Sequence, residues 1–164
     1  MRFFLTIEYD GSEYIGWQRQ NSGLSVQEVV ENSIYKIIQI NLNIYGSGRT
    51  DAGVHATGQV AHVDMITKEF EENRLMDAIN AYLLDHKIKV TDVRKTIDDA
   101  HARFSALSRE YEYVILNRSA PPAIEEGKVW HQRRILNIKK MQEAASYFVG
   151  THDFTSFRAT QCQS

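Results

Sequence analysis

The sequence has little cysteine or proline: one cysteine, Cys162, and two adjacent prolines in 164 residues. A single cysteine excludes an internal disulfide and is typical of a reducing compartment, so we expect a cytoplasmic protein. Long apolar runs are also missing, and the longest, such as 114–116, are too short to cross a bilayer. Charged side chains at Arg2 and Glu8 interrupt the first residues, which is not typical of a signal peptide. The length suits one domain of ordinary size or two small ones.

Neither sign of charge is in large excess. The 19 basic and 21 acidic residues give a net charge of −2, whereas proteins that bind nucleic acid through charge alone are usually basic. The charge is uneven, however: residues 1–82 carry 6 basic and 11 acidic side chains (−5), and residues 83–164 carry 13 and 10 (+3). This asymmetry permits a basic patch in the second half without requiring one. By charge alone, an ordinary solvated surface is favoured.

Hydrophobic periodicity predicts a series of strands and helices in the first hundred residues. Apolar side chains alternate over 2–9 and again over 59–66, which is typical of half-buried strands. Ser25 and Glu28 form a capping box ahead of apolar residues at helical spacing, which predicts a helix over about 26–39. The remaining predicted elements are a short strand near 42–44, a helix over about 71–84 and a strand over 88–96. The order βαββαβ is typical of a ferredoxin-like α+β fold, with two helices on one face of an antiparallel sheet.

A second, incomplete unit is predicted after residue 100, which divides the chain into 1–100 and 101–164. Its predicted elements are strands over 109–117 and 128–135 and a helix over 138–148 that Gly150 caps. Phe154 and Phe157 follow in a tail, and no later predicted element covers them. This pattern indicates a unit that is cut off before its domain is finished.

The densest functional signal is the segment 46–56, Gly-Ser-Gly-Arg-Thr-Asp-Ala-Gly-Val-His-Ala, between two predicted strands. Loops at strand ends commonly carry functional groups, and glycines let a ligand approach the backbone closely. A plain hairpin with Asp51 in its turn explains the same spacing equally well. The segment lacks the Gly-Lys-Ser/Thr of a phosphate-binding loop. A strand rather than a helix follows it, so it is not a dinucleotide-binding fingerprint.

Four side chains near this segment, His55, His62, Asp51 and Asp64, raise the question of a metal site. His62 and Asp64 share one face of a predicted strand, but His55 lies in the loop, and no closely spaced His or Cys pair occurs. We therefore expect no metal. Nucleophilic serine or cysteine chemistry is disfavoured as well, because no Gly-x-Ser-x-Gly occurs and Cys162 lies near the last residue.

A second candidate surface is the segment that contains Arg109, Tyr111 and Tyr113, whose side chains would share one face of a strand. Aromatic rings beside arginine on a sheet face can stack an unpaired nucleic-acid base. Packing of the tyrosines inside a sheet explains the pattern without any ligand, and it is favoured when the segment is taken alone. The preceding segment 101–106 adds Arg103 beside the same predicted strand.

Together these segments resemble the TruA family of tRNA pseudouridine synthases. The signature is the run 48–56, Gly-Arg-Thr-Asp-Ala-Gly-Val-His-Ala, with Gly-Gln-Val at 58–60. Further segments agree in order along the whole chain: 4–11 with Gly-Trp-Gln at 16–18, Ser-Val-Gln at 25–27, His-Ala-Arg-Phe-Ser-Ala at 101–106 with Arg109 and 111–113, and Asp-Phe-Thr-Ser-Phe-Arg at 153–158. The nine-residue run is highly specific.

The resemblance implies two ferredoxin-like halves with a cleft between them, and a homodimer that holds tRNA across both subunits. It implies isomerisation of uridines 38, 39 and 40 (tRNA position numbers) in the anticodon arm, without a cofactor. Asp51 would be the catalytic residue, and Tyr111 would stack on the target uracil. Arg49 would help to flip the nucleotide out of its stack, and Arg103 and Gln161 would contact the RNA.

The chemistry of the reaction agrees with these residue types. Pseudouridine formation breaks the N1–C1′ bond, turns the uracil and joins its C5 to the sugar; a carboxylate can either attack C1′ or remove the C2′ proton. Either route needs an ionised Asp51, and a nearby cation would offset the cost of burying it. The isomerisation is redox-neutral, so it requires no cofactor. For His55 we favour a structural hydrogen bond inside the loop over a ligand contact.

Chains of this family continue past the last residue here, and the further part carries the arginine that pairs with the aspartate. We therefore expect a folded N-terminal unit, a loosely held second half and little activity, so an inactive fragment of the synthase is one alternative. A non-catalytic RNA-recognition module has the same βαββαβ order. However, residues 1–100 carry 10 basic and 15 acidic side chains and lack that module's aromatic segment. A ferredoxin-like protein that binds a small molecule is the third alternative.

Overall fold

The computed structural model of the chain describes residues 1–66 and 69–157. Backbone contacts divide the chain into two units, Met1–Tyr111 and a second unit that begins at Glu112. The subdomain boundary expected after residue 100 stays a prediction. No helix in the described ranges is long and apolar enough to span a bilayer.

The first unit is a four-stranded antiparallel sheet with two helices. Its elements are β1 (Arg2–Tyr9), α1 (Val26–Ile38), β2 (Ile44–Gly46), β3 (Ala56–Asp64), α2 (Glu72–Ala81) and β4 (Ile88–Thr96), with a single turn of 3₁₀ helix at Gly11–Glu13. The strands pair in the order β2-β3-β1-β4. The predicted βαββαβ order and α+β class are confirmed, although β3 begins three residues earlier and α2 ends three residues earlier than the periodicity indicates.

The core of this unit lies between the helices and one face of the sheet. Alternate residues of β1 are buried there, and its register sets Phe3 opposite Val63 and Leu5 opposite Ala61. The fully buried side chains of both helices join the same cluster. Burying one such aliphatic side chain contributes about 1.5–3 kcal/mol. On the outward face of β1, Arg2 donates hydrogen bonds to the carboxylate of Asp64 on β3, and the ring centroid of Phe4 lies 6.2 Å from that of His62.

Helix α1 forms where the capping signal places it. The Ser25 hydroxyl accepts a hydrogen bond from the Glu28 amide at 3.2 Å, which satisfies one of the free amides of the first turn. The helix ends at Gln39, whose φ of 58° is left-handed and stops the helical repeat.

The second unit has shorter elements than its sequence predicts. They are β5 (Ile115–Asn117), β6 (Trp130–Gln132) and α3 (Ile138–Ser146), and β5 pairs with β6 in parallel. The strands predicted over 109–117 and 128–135 are therefore wrong in extent. Side-chain character alternates over 109–113 as a strand requires, but these residues belong to no strand in the described part of the chain, and Val114 only accepts a hydrogen bond from the Trp130 amide at 2.8 Å. Gly150 does not cap α3 but lies beyond its end, with φ +116°.

Candidate active site

The loop between β2 and β3 carries Asp51. Asp51 is exposed, and its carbonyl oxygen accepts a hydrogen bond from the Val54 amide at 3.2 Å, which closes a tight turn. Gly53 in this turn has a φ of +78°, a conformation that glycine adopts without strain. The Asp51 residue is therefore open to solvent while its backbone is held in a defined turn.

Two glycines after β1 let this loop pack against the body of the unit. Gly16 is buried with φ +110°, and a Cβ there would lie 2.5 Å from the carbonyl oxygen of Thr50. A Cβ on Gly11 would collide with the carbonyl oxygen of Val54. Packed interiors leave no room for such contacts, so any other residue at either position would displace the loop.

Backbone hydrogen bonds join the same two segments on both sides of Asp51. The Trp17 amide donates to the Thr50 carbonyl at 3.0 Å, and the Gly53 amide donates to the Tyr14 carbonyl at 3.4 Å. The residue before Asp51 and the residue two places after it are thus both tied to the segment that follows β1. A site held by its own scaffold in this way is organised before any substrate binds.

Two buried aromatic side chains lie beneath the loop. The ring centroids of Tyr9 and Trp17 are 6.2 Å apart, and the Tyr9 hydroxyl lies 2.8 Å from that of Thr50. Burial raises the pKa of Tyr9, and the hydrogen bond with Thr50 offsets only part of this effect, so the phenol stays protonated. At the start of the loop, a Cβ on Gly46 would lie 2.6 Å from Nε1 of Trp17.

Gln59 of β3 holds the first residues of the loop from the other side. Its Oε1 accepts from the Ser47 hydroxyl at 2.9 Å, and its Nε2 donates to the Gly48 carbonyl at 2.8 Å. The Ser47 amide also donates to the Val60 carbonyl at 2.7 Å. The loop is therefore anchored at both ends by hydrogen bonds to neighbouring segments.

His55 contacts the segment after β1, and the hydrogen bond expected inside its own loop stays a prediction. Its Nδ1 lies 3.2 Å from the Gly11 amide and 3.1 Å from a carboxylate oxygen of Asp10. The neutral ring accepts from Gly11, and the protonated ring donates to Asp10. Hydrogen bonds from Ser12 hold the pKa of Asp10 below its usual value, and His55 adds to this effect.

The predicted site residues occupy different surroundings. Arg49 and Asp51 are exposed in the loop. The Tyr111 side chain is 74% exposed, and its hydroxyl lies near the loop, because a Cβ on Gly48 would be 3.7 Å from it. Arg103 is exposed, with its guanidinium carbon 5.9 Å from the centroid of the Phe104 ring. Gln161 lies outside the described residues.

The loop carries charges that are not neutralised locally. Within residues 1–66 and 69–157, no basic side chain lies within ion-pair distance of Asp51, and Arg49 pairs with no carboxylate. The same ranges contain no group of three or more His, Cys, Asp or Glu side chains that could hold a metal ion. Asp51 is therefore a single solvent-facing carboxylate on a fixed backbone, able to act as a nucleophile or as a base.

Sequence reasoning missed Arg109 as part of this site. It expected the side chain on a strand face beside Tyr111, but Arg109 instead donates hydrogen bonds to the carbonyl oxygens of Ser47 and Arg103. The glycines at 11 and 16 and the Gln59 amide were also missed, because their roles depend on contacts between distant segments. The only available signal was their position within segments of the family resemblance.

The segment after β4 is attached to the sheet by His62. This histidine is 1% exposed, and its Nδ1 accepts a hydrogen bond from the Ala102 amide at 3.2 Å. Its ring stacks on Tyr45 at 5.0 Å and meets the edge of His101 at 4.4 Å. These contacts fix the backbone next to Arg103. Desolvation, assisted by Arg2 and His101, lowers the pKa of His62, so the ring is neutral and can accept the bond.

A family model identifies the class of protein to which this fold and loop correspond. The model describes tRNA pseudouridine synthases, and it matches residues 5–105, which is more than half of the chain. The match includes nearly all of the four-stranded sheet, both of its helices and the whole loop that contains Asp51.

Curated relatives extend this likeness along the chain. Proteins named tRNA pseudouridine synthase A from Ehrlichia canis, Rhodospirillum rubrum and Anaplasma phagocytophilum are 49%, 46% and 48% identical over 165, 164 and 166 residues. Each comparison covers 100% of this chain but 67%, 59% and 67% of the relative. The chain belongs to the tRNA pseudouridine synthase family, as its motifs predict, and spans about three fifths to two thirds of the length of these relatives.

Proposed function

We propose that this chain isomerises uridine to pseudouridine in tRNA, with Asp51 as the catalytic residue. The observation that carries the proposal is the combination at Asp51 of an exposed side chain and a backbone fixed on both sides by hydrogen bonds. A surface turn without a function would not require two buried glycines that let it pack closely against the neighbouring segment. The names of the relatives support tRNA as the substrate.

The residues around Asp51 suit the steps of such a reaction. The target nucleotide must leave its stack, which costs a few kcal/mol. In our proposal Arg49 helps to displace it and the exposed ring of Tyr111 stacks on the freed uracil, which offsets that cost. Asp51 then attacks C1′ and displaces N1 of the uracil, or removes the C2′ proton as the N1–C1′ bond breaks. The freed base turns and C5 bonds to C1′, which releases the Asp51 carboxylate in the first route and is accompanied by return of the proton to C2′ in the second. C5 loses its hydrogen as a proton and N1 takes up a proton. Bond breaking and bond making balance without an oxidant or a reductant.

The proposal also covers which tRNA uridines are modified and how many subunits bind one tRNA. We place the target uridines at tRNA positions 38, 39 and 40 in the anticodon arm, and we propose a homodimer in which one tRNA contacts both subunits. Arg103 and Gln161 would contact the RNA. The exposed guanidinium of Arg103 agrees with such a contact.

The test is tritium release from tRNA labelled at uridine C5, because C5 loses its hydrogen when it bonds to the sugar. We expect release with this chain and none above background with Asp51→Ala or Asp51→Asn. The matched control is Asp77→Asn, which removes an exposed carboxylate from α2 and should leave release unchanged.

Two other results would contradict the proposal, and each would favour an alternative function. Salt-dependent tRNA binding with no release from the unmodified chain would indicate a non-catalytic RNA-binding protein or an inactive fragment of the synthase. Absence of both binding and release would favour the small-molecule alternative.

A further inference from the structure

Arg109 connects two backbone segments that lie far apart in sequence. Its Nε and Nη2 donate to the Ser47 carbonyl at 3.0 and 2.7 Å, and Nη2 also donates to the Arg103 carbonyl at 3.0 Å. Ser47 lies in the Asp51 loop, sixty-two positions away. A guanidinium presents its donors in a planar fork of fixed geometry, which lets one side chain bridge two acceptors.

The bridge lies beside the aromatic side chain proposed to stack on the base. Tyr111 is two residues after Arg109, and a Cβ on Gly48 would lie 3.7 Å from both the Arg109 Nε and the Tyr111 hydroxyl. Residues 109–113 form no strand ladder with any described segment, so pairing with a neighbouring strand does not set the position of Tyr111. The hydrogen bonds of Arg109 therefore constrain the position of this segment, as strand pairing does for the residues of the sheet.

We propose that Arg109 is a positioning residue that holds the Asp51 loop and the Tyr111 segment at a fixed separation before RNA binds. The inference rests on the proposed function, because that function assigns Asp51 and Tyr111 to the two sides of the flipped uracil. Misplacement of reacting groups by about 1 Å can reduce a rate by about 100-fold. A clamp between the two segments acts on the rate of isomerisation more than on the affinity for tRNA.

An exposed arginine in an RNA-binding protein has an obvious alternative role as a phosphate contact. The two roles differ in what lysine can replace. A lysine at this position keeps the positive charge that a phosphate needs, but its ammonium is a compact donor on a flexible stem and lacks the planar fork. Arg109→Lys should therefore preserve a phosphate contact and lose the clamp, whereas Arg109→Gln removes both.

The first arm of the test needs no substrate and uses hydrogen–deuterium exchange of the free chain. With Arg109→Lys and Arg109→Gln, peptides that cover residues 45–56 should exchange about tenfold faster, because the loop opens more often. Peptides from α1 should not change, which also shows that the variants fold. The matched control is Arg74→Gln, because Arg74 is an exposed arginine on α2 that forms an ion pair with Glu71. Unchanged exchange in the loop would overturn the proposal.

The second arm measures single-turnover pseudouridine formation and tRNA affinity. Both Arg109 variants should lose 10–100-fold in rate, with tRNA Kd within about twofold of the unmodified chain and an unchanged salt slope. Full activity in Arg109→Lys, with a Kd increase and a salt slope reduced by about one in Arg109→Gln, would make Arg109 a phosphate contact and overturn the clamp. If the unmodified chain forms no product, the proposed function fails, and the exchange arm alone decides whether the clamp exists.

Discussion

The two units of the chain differ in where their apolar side chains lie. All the buried hydrophobic residues of the described chain belong to the first unit, whereas Ile124 and Ile135 of the second are 97% and 96% exposed. Because apolar burial is the dominant favourable term in folding, the first unit carries its own stability and the described part of the second gains little. Asp51 and the segments that hold its loop all lie in the unit that can keep them rigid.

Helices α1 and α3 differ in burial in the same way as the two units. Both begin at a side-chain cap, Ser25 in α1 and Asn137 in α3. Helix α1 buries six of its residues, but α3 buries none. Their local signals are therefore alike, and tertiary packing alone separates them. Paired substitutions in the two units test this difference.

The largest effect is expected from cavity formation in the first core. Leu75→Ala removes a fully buried side chain and should lower the free energy of unfolding by about 2–5 kcal/mol. Ile135→Ala, at an exposed position in the second unit, should change it by less than about 0.5 kcal/mol. Urea unfolding followed by circular dichroism measures both. Equal losses would show that the second unit contributes to a shared core.

Much of this contrast could be predicted from the sequence. The alternation in β1 and the capping box of α1 are local signals, and the strands and helices of the α+β sheet form in the order that they predict. The strand expected over 109–117 does not form over its first six residues. Alternation shows only that a segment suits a strand, whereas a strand ladder also requires a neighbouring segment to pair with. Asp51 was identifiable as a candidate site residue from its motif. The close packing at Gly16 and the hydrogen bonds of Arg109 could not be predicted, because they form only when segments far apart in sequence come together.

A smaller effect is expected from Gly16, the glycine that lets the Asp51 loop pack closely against the segment after β1. Gly16→Ala adds a methyl group at a φ of +110° and at 2.5 Å from the Thr50 carbonyl, so the loop must move. We expect a loss of about 1–3 kcal/mol in the free energy of unfolding and a fall in tritium release of at least about 100-fold.

The matched control is Gly150→Ala in the second unit. Gly150 has nearly the same φ, +116°, and an added Cβ would lie 3.3 Å from a ring nitrogen of His152. This strain should hardly alter global unfolding, because the surrounding segment buries no side chain, and it should leave tritium release unchanged. An equal loss of activity in both variants would mean that backbone strain, and not contact with Thr50, explains the Gly16 result.

Removal of the two helix caps should give a difference of about 1 kcal/mol. Ser25→Ala deletes the bond from the Glu28 amide and should cost about 0.5–2 kcal/mol in global stability. Asn137→Ala deletes the equivalent bond from the Lys140 amide, at 3.0 Å, but the first unit should unfold at the same urea concentration. If Asn137→Ala lowers that concentration as much as Ser25→Ala does, α3 folds together with the first core.

The smallest effect concerns pH and the attachment of the segment that carries Arg103. The pKa of His62 is lowered in the folded protein, so the unfolded chain binds a proton on this ring where the folded protein does not. Stability should therefore fall as pH decreases through the unfolded value of about 6.5 and stop falling below the folded pKa of His62. Arg2, His101 and Asp64 face this ring and contribute to its pKa, so the comparison needs a variant that changes His62 alone.

His62→Asn is that variant, because the asparagine side-chain oxygen can accept the Ala102 amide in place of Nδ1 and does not titrate. Urea unfolding between pH 7.5 and pH 5 should show a weaker pH dependence in the variant than in the unmodified chain. Equal pH dependence in the two proteins would assign the titration to another group. A variant that unfolds early at every pH would show instead that the packing of the imidazole against Tyr45 and His101, more than its hydrogen bond, holds the Arg103 segment on the sheet.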